Sequence, residues 1–206
     1  MKQNLYIAVE GAIGAGKTTL STMLAQRFEF TLMKEIVEEN PFLDKFYQNI
    51  EEWAFQLEMF FLCNRYKQLG DMLLTPASTR QPIVSDYHIY KNMIFAERTL
   101  SGVQLDKYRQ IYHLLTDDLP KPNLIVYIKA DLDTLLHRIQ KRGRDFEQNF
   151  DAGYLSQLVE DYETAISHIR AQEPDTVIIT IDGNKLDFVE RPEDFEQIVA
   201  KIKEHL

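Results

Sequence analysis

Gly11-Ala12-Ile13-Gly14-Ala15-Gly16-Lys17-Thr18-Thr19 is the stretch that decides the fold of this chain. It fits G-x-x-x-x-G-K-[ST], the pattern of a loop that binds phosphate groups through its backbone. Residues 5–9 before it are a short apolar run, which predicts a buried strand, and residues 19–28 after it carry apolar side chains at helical spacing. Since strand, glycine loop and helix follow in the required order, we interpret 11–19 as a phosphate-binding loop.

Each part of this loop has a chemical purpose in holding a nucleoside triphosphate such as ATP. The glycines let backbone N–H groups meet phosphate oxygens without a Cβ in the way, and the helix N-terminus adds partial positive charge. Lys17 supplies a full positive charge to the β- and γ-phosphates. The hydroxyl of Thr18 is a ligand for Mg²⁺.

Composition limits the class of protein. The chain has 206 residues, a formal net charge of −9 and a single cysteine, Cys63. A length of this order predicts one domain, 1–206, and the acidic balance argues against nucleic acid as the main partner. A lone cysteine cannot form an internal disulfide, and no apolar run approaches the length that spans a membrane. With no room for a signal peptide before the first strand, we expect a soluble cytoplasmic protein.

Strand and helix patterns alternate along the whole chain. Further strands are predicted at 31–35, 83–86, 124–128 and 177–181, with helical patterns between them and after the last. This alternation predicts an α/β fold with a five-stranded parallel sheet flanked by helices on both faces. Ligands of such sheets bind beyond the carboxyl ends of the strands. The residues at these ends are Gly11, Glu35, Asp86, Lys129 and Asp182.

Two acids among these strand ends are candidates for chemistry. Glu35 could accept the proton of an attacking hydroxyl group, or it could belong with Glu38 and Glu39 to an acidic run that favours the next helix N-terminus; the residues leave both interpretations open. Asp86 follows an apolar strand, a pattern typical of the carboxylate that holds Mg²⁺ opposite a phosphate loop. We favour that role over a turn-starting aspartate.

A basic cluster ends the helix predicted at 131–143. Arg138 and Arg142 are four residues apart and therefore share a helix face, and Arg144 follows the glycine that ends the helix. Cations favour any helix C-terminus, but three arginines in an acidic phosphate-loop protein indicate a mobile lid, about 138–150, that stabilises a transferring phosphoryl group.

Two further patterns are ambiguous. Trp53, Gln56, Phe60 and Cys63 form one helical stripe, which fits either a core face or, through the Gln56 amide, a contact to a nucleobase edge. Residues 184–187 match N-K-x-D, a guanine-reading pattern of GTP switch proteins, but the chain has no D-x-x-G. That absence argues against a GTP switch, and the segment more plausibly contacts the donor base.

Together these motifs resemble the deoxynucleoside kinase family, and among its members the bacterial deoxyguanosine kinases. The segments that carry the likeness, besides the loop, are EIVEENPFL at 35–43, WAFQ at 53–56, DYHIYKN at 86–92 and RIQKRGR at 138–144. The resemblance covers nearly the whole chain. It implies the fold of phosphate-loop nucleoside and nucleotide kinases, a homodimer, and Mg²⁺-dependent transfer of phosphate from ATP to the 5′-hydroxyl of deoxyguanosine, in purine salvage.

The resemblance also implies roles at the acceptor nucleoside. Glu35 matches the general base, Gln56 the residue that pairs with the base, and Phe95 lies near the stacking aromatic residue. Tyr47 and Glu147 match the pair that holds the 3′-hydroxyl.

Three arginines complete the implied site, since Arg138, Arg142 and Arg144 match the family's lid.

Two rival interpretations concern the acceptor. A nucleoside monophosphate kinase, a rival interpretation, would need a basic site for the acceptor's phosphate, whereas residues 35–40 are acidic. A deoxyadenosine or broader purine deoxynucleoside kinase is a nearer rival, because the Gln56 amide can pair with either purine.

The chain departs from the family pattern at one position. Most members place arginine directly after the acid at the end of the third strand, near the base and the 5′-hydroxyl, but here Tyr87 follows Asp86. From this place in the pattern we expect both Asp86 and Tyr87 to contact the nucleoside. The resemblance to bacterial deoxyguanosine kinases extends to this change. We hypothesise that Lys91, one helical turn further on, supplies the missing positive charge at the nucleoside.

This hypothesis predicts that Lys91→Ala impairs phosphorylation of deoxyguanosine, because the variant removes the charge that replaces the family arginine. Steady-state kinetics with varied nucleoside should show a lower kcat, a higher KM, or both. Unchanged values of both constants would contradict a role for Lys91.

Overall fold

A computed structural model describes residues 5–37, 39–74, 81–143 and 152–206. Within them, five strands form one parallel sheet in the order β2-β3-β1-β4-β5. The strands are β1 (Tyr6–Glu10), β2 (Thr31–Met33), β3 (Ile83–Ser85), β4 (Leu124–Lys129) and β5 (Val177–Asp182). The predicted α/β fold with a five-stranded parallel sheet is thereby confirmed.

Helices connect the strands, as parallel pairing requires. They are α1 (Lys17–Phe28), α2 (Leu43–Gln48), α3 (Ile50–Leu74), α4 (Lys91–Thr99), α5 (Gly102–Thr116), α6 (Leu132–Arg142), α7 (Ala152–Gln172) and α8 (Pro192–Lys203). In the part of the chain that the structure describes, none of these helices combines the length and apolarity needed to span a membrane.

The central strands form the apolar core. All five residues of β1 are buried, and so are the first five of β4, because both strands have a neighbour on each side and helices over the sheet. Such strands read as continuous apolar runs rather than alternating ones, which is why they were recognisable in the sequence.

The described residues divide into two compact units. The sheet unit comprises 5–34, 81–88, 121–143 and 152–206, and it carries all five strands with α1, α6, α7 and α8. The helical unit comprises 35–37, 39–74 and 89–120 and carries α2 to α5. That 1–206 is a single domain stays a prediction.

The ends of two strands differ from the prediction. β2 ends at Met33, so Glu35 is not a strand residue but lies in the connection that follows, at the start of the helical unit. β3 ends at Ser85, and Asp86 is the first residue beyond it. Edge strand β2 has a single neighbour, β3, which itself has only three residues, so their pairing stops at Met33↔Ser85.

Candidate active site

The phosphate-binding loop contains glycines at positions where another residue would not fit, and Gly14 and Gly16 are two of them. Gly16 precedes α1 with a φ of 97°, a left-handed conformation that residues with a Cβ rarely adopt. A Cβ at Gly14, whose φ is 86°, would lie 2.8 Å from the carbonyl oxygen of Leu135 in α6. The loop therefore packs directly against α6, and α1 begins at Lys17, two residues earlier than predicted.

Lys17 holds the loop from within. Its Nζ donates hydrogen bonds to the carbonyl oxygens of Gly11, at 2.8 Å, and of Ala12, at 3.0 Å. The ammonium group is thus fixed over the loop, and it brings a full positive charge to a place already framed by a helix N-terminus. This arrangement suits binding of an anionic phosphate chain.

Thr18 and Asp86 meet because β1 and β3 are parallel neighbours, so that the segments after them leave the sheet at the same edge. The Oγ1 of Thr18 donates to Oδ2 of Asp86 at 2.7 Å, and the N–H of Asp86 donates to the carbonyl oxygen of Met33 at 3.3 Å. A hydroxyl and a carboxylate side by side are the hard oxygen ligands that Mg²⁺ prefers. This pair of side chains therefore fits a magnesium ion that is shared with bound phosphates.

A cavity of about 530 Å³ opens beside the loop within the sheet unit. Its lining comes from the loop, from α6 and from the turn before α8. The residues are Gly14, Gly16, Lys17, Thr18, Thr19, His137, Arg138, Lys141, Arg142, Asp187, Phe188, Val189 and Glu190. This volume lies in the range of small-ligand sites, and the cations of α6 suit an anionic ligand.

The predicted lid is only partly described. Arg142 ends α6, is exposed, and lines the cavity. Arg138 is half-buried and donates to the carbonyl oxygens of Ala15, at 3.0 Å, and of Gly183, at 2.8 Å. It therefore holds the phosphate loop to the turn after β5. Of the predicted lid, 138–143 belong to the described residues, whereas Arg144 and the rest of 144–150 lie outside them.

The segment at 184–187 uses its polar side chains to build a turn. Asn184 Oδ1 accepts the N–H of Asp131 at 3.0 Å, and Asp187 Oδ1 accepts the N–H groups of Val189 and Glu190. These oxygens are thus engaged with backbone, although Asp187 also lines the cavity. Contact between this segment and a donor base stays a prediction.

Glu35 is the centre of a charge cluster in the helical unit. Its Oε2 accepts from Nζ of Lys91 at 2.7 Å, and its Oε1 accepts from Nη2 of Arg65 on α3. All three side chains are largely buried; that of Glu35 is 11% exposed. Burial alone would raise the pKa of the Glu35 carboxyl, but the charges of Lys91 and Arg65 hold that pKa well below its usual range.

A carboxylate in this setting stays ionised across the physiological range of pH. It can accept a hydrogen bond from a substrate hydroxyl and so fix the direction of an oxygen nucleophile. Its low pKa also makes it a weak base. It can therefore contribute more by orienting a hydroxyl group than by removing the proton of that group.

Arg65, a member of this cluster, and Glu58, a buried acid that feels the charges of the cluster, are not among the residues predicted from the sequence. Glu58 is 1% exposed and accepts from Oγ1 of Thr99 at 3.4 Å. Burial raises the pKa of its carboxyl to about 8, against the attraction of Arg65. The burial of both residues can be predicted from the sequence, because they fall on the same face of α3 as Leu57, Leu62 and Leu69, but their partners cannot.

That buried face also corrects the core interpretation of the stripe Trp53, Gln56, Phe60 and Cys63. Gln56 and Cys63 are exposed, whereas Trp53 and Phe60 are half-buried. Trp53 stacks on Phe42, with ring centroids 6.0 Å apart. The stripe is therefore not part of the core of the helical unit, and the exposed amide of Gln56 is accessible there.

The other predicted nucleoside contacts fall in different places. In the helical unit, Tyr47 lies on α2, and Phe95 on α4 is half-buried with Lys91 Nζ 5.7 Å from its ring centroid. In the sheet unit, Tyr87 is fully buried and its carbonyl oxygen accepts from Oγ of Ser85. Glu147 lies outside the described residues. Their contact with a nucleoside stays a prediction.

Known proteins are similar to this chain over almost its whole length. Residues 7–206 match the model of the family described as deoxynucleoside kinase. The chain is 62% identical over 199 residues to the deoxyguanosine kinase of Bacillus subtilis (strain 168), covering 97% of this chain and 96% of that protein. It is 33% identical over 173 residues to the deoxyadenosine/deoxycytidine kinase of the same organism, covering 82% and 80%.

Solved structures with a similar fold include deoxyadenosine kinase from M. mycoides. The form with bound dATP has a TM-score of 0.82 at 24% sequence identity and covers 97% of this chain and all of that one. The form with bound dCTP has a TM-score of 0.81 at 25% identity, with the same coverage.

The raised pKa of Glu58 predicts how stability depends on pH. The unfolded chain releases this proton near pH 4.5 and the folded chain near pH 8, so stability that is fully present below 4.5 is lost as pH rises through 8. Glu58→Gln removes this dependence. The free energy of unfolding of the variant relative to the wild type should therefore increase between pH 5 and pH 8.5.

Urea unfolding of both proteins at several pH values measures this difference. Glu51→Gln, which changes an exposed carboxylate on the same helix, is the matched control and should keep the wild-type pH dependence. Parallel profiles for the wild type and Glu58→Gln would contradict a buried, proton-binding Glu58.

Proposed function

Because the chain belongs to the deoxynucleoside kinase family, we propose that it is a deoxyguanosine kinase. It transfers the γ-phosphoryl group of ATP to the 5′-hydroxyl of deoxyguanosine and releases dGMP and ADP. The observation that carries the proposal is the 62% identity to the deoxyguanosine kinase of Bacillus subtilis over 97% of the chain. The phosphate loop and the ionised Glu35 supply the two groups that this reaction needs.

On the donor side, the phosphate loop and Lys17 hold the triphosphate by its charge. Thr18 and Asp86 would hold Mg²⁺, which when bound neutralises charge on the phosphates. The cavity beside the loop, lined also by α6 and by the turn before α8, receives the donor, with Arg138 fixing the loop against the turn at Gly183. Catalysis here consists of positioning and charge neutralisation, because phosphoryl transfer asks little covalent chemistry of the protein.

On the acceptor side, Glu35 accepts the hydrogen bond of the 5′-hydroxyl and aims its oxygen at the phosphorus. A carboxylate whose pKa lies far below neutrality withdraws a proton weakly, but a loose transition state needs little deprotonation before transfer. Lys91 and Arg65 keep Glu35 ionised and in one place. The proton leaves late, to Glu35 and then to solvent.

The remaining predicted residues complete the two sites in this proposal. Gln56 pairs with guanine, Phe95 stacks near it, and Tyr47 and Glu147 hold the 3′-hydroxyl. Arg138, Arg142 and Arg144 stabilise the negative charge that develops on the transferring group. A homodimer and location in the cytoplasm also stay predictions.

A deoxyadenosine kinase is the nearest alternative. The amide of Gln56 can pair with either purine, and the chain is 31% identical to the deoxyadenosine kinase of Lactobacillus acidophilus (strain ATCC 700396 / NCK56 / N2 / NCFM). A GTP switch does not fit the family. A monophosphate kinase would need a basic site for the acceptor's phosphate, and the segment 35–40 is acidic.

The proposal predicts the acceptor preference of the purified protein. With MgATP, deoxyguanosine should be phosphorylated with a higher kcat/KM than deoxyadenosine, deoxycytidine or thymidine, and dGMP should not be an acceptor. Formation of ADP and of the monophosphate is followed for each compound. A higher kcat/KM for deoxyadenosine would favour the alternative, and turnover of dGMP, or of none of the nucleosides, would overturn the proposal.

Glu35→Gln tests the acceptor side. The neutral amide keeps the size of the side chain but loses the charge that orients the hydroxyl, so kcat should fall by about two to four orders of magnitude. Affinity for deoxyguanosine, measured by equilibrium titration, should be largely kept. The matched control is Glu39→Gln, which alters an exposed acid of the same segment and should leave kcat unchanged. Near-normal turnover of Glu35→Gln would remove Glu35 from the mechanism.

A further inference from the structure

Glu10 is a buried acid whose carboxylate joins two separate parts of the sheet unit. It is the last residue of β1, directly before the phosphate loop, and is 2% exposed. Its Oε2 accepts the backbone N–H of Gly11 at 3.0 Å, and its Oε1 accepts the backbone N–H of His88 at 2.6 Å. One side chain thus ties the first residue of the loop to the segment that follows β3.

This tie begins where the backbone pairing of the two strands ends. β1 pairs with β3 from Tyr6↔Ile83 to Ala8↔Ser85, and β1 then continues against β4 as far as Glu10↔Tyr127. Residues 86–88 have left that ladder. The carboxylate of Glu10 therefore takes over from the strand pairing and holds this short segment beside β1.

Asp86 lies inside the segment that is held in this way. Its own N–H is bound to the carbonyl oxygen of Met33, and its carboxylate accepts from Thr18. Thr18 in turn follows the loop whose first residue is bound to Glu10. The segments that carry Thr18 and Asp86 are therefore both hydrogen-bonded to one buried side chain, that of Glu10.

We propose that Glu10 is a positioning residue for magnesium-dependent binding of the donor: it sets the separation of Thr18 and Asp86 by holding Gly11 and His88 at fixed places. The proposal rests on the magnesium site of the proposed function. It does not depend on which nucleoside is the acceptor.

A carboxylate is suited to this task because both of its oxygens are acceptors. Glutamine has nearly the same shape, but one of its two positions is an NH₂ group, which would face a backbone N–H donor in a buried place. Glu10→Gln therefore keeps one of the two hydrogen bonds and disrupts the other.

The test is equilibrium binding of ATP to the whole protein, with saturating Mg²⁺ and with EDTA. In Glu10→Gln, affinity for ATP in the presence of Mg²⁺ should fall about tenfold or more, as changes behind metal ligands usually do, while affinity in EDTA stays within about threefold of wild type. Free Mg²⁺ at half-maximal binding should rise in parallel.

The matched control is Asn123→Ala. Asn123 Oδ1 accepts the N–H of Tyr6 at 2.8 Å, so the variant loses a side-chain tie at the opposite end of the same strand. It should lower the melting temperature and leave the Mg²⁺ dependence of ATP binding unchanged. A merely structural Glu10 would behave in the same way as Asn123.

The proposal is overturned if folded Glu10→Gln shows the wild-type Mg²⁺ dependence, or if it loses ATP affinity equally with and without Mg²⁺. Should Glu10→Gln fail to fold, Glu10→Asp is measured instead. Its carboxylate is one methylene shorter and cannot reach both amides, so it should show a Mg²⁺-specific loss of affinity, and a wild-type result would likewise overturn the proposal. Because only ATP and Mg²⁺ are used, failure of deoxyguanosine phosphorylation leaves this test intact.

Discussion

The parallel pairing of β1 with β3 is the constraint on which the phosphate site depends. The last paired residues of the two strands are Ala8 and Ser85, so the glycine loop and Asp86 leave the sheet side by side although they are far apart in the chain. Thr18 and Asp86 can then form a hydrogen bond of 2.7 Å. Ligands of parallel sheets generally bind at the carboxyl ends of the strands. In this chain the groups at that edge are the Lys17 ammonium, the Thr18 hydroxyl and the Asp86 carboxylate.

A different principle governs the helical unit, where charges are paired inside an otherwise apolar helix packing. Glu35, Arg65 and Lys91 are all largely buried, and each ion offsets the desolvation of the others. The result is a carboxylate that stays ionised and is held by two cations. Such a group orients a hydroxyl well and removes its proton poorly, which matches a reaction whose catalysis lies mainly in positioning.

How far the sequence predicted these features depended on whether the signal was local. The glycine loop, the strands β1 and β4, and the α6 boundaries at Asp131 and Gly143 follow from neighbouring residues, and the structure agrees with them. Thr18 and Asp86 were each predicted as magnesium ligands from their own motifs, and the pairing of β1 with β3 brings them together.

Contacts over long sequence separations were beyond such reasoning. Arg65 is 30 residues from Glu35, and nothing near Glu35 indicates its partner. The stripe from Trp53 to Cys63 was defined by aromatic residues, whereas α3 buries the neighbouring face that includes Glu58 and Arg65. Arg138 fits a lid by its spacing, but its bonds to Ala15 and Gly183 became visible only when the loop and the turn after β5 were in place.

The central proposal is that one particular oxygen, the 5′-hydroxyl of deoxyguanosine, receives the γ-phosphoryl group of ATP. Phosphorus NMR of the product formed from MgATP and deoxyguanosine tests it most directly. The predicted result is a phosphate monoester coupled to the two C5′ protons, formed in step with ADP. A 3′-monoester, or inorganic phosphate with unchanged deoxyguanosine, would contradict it.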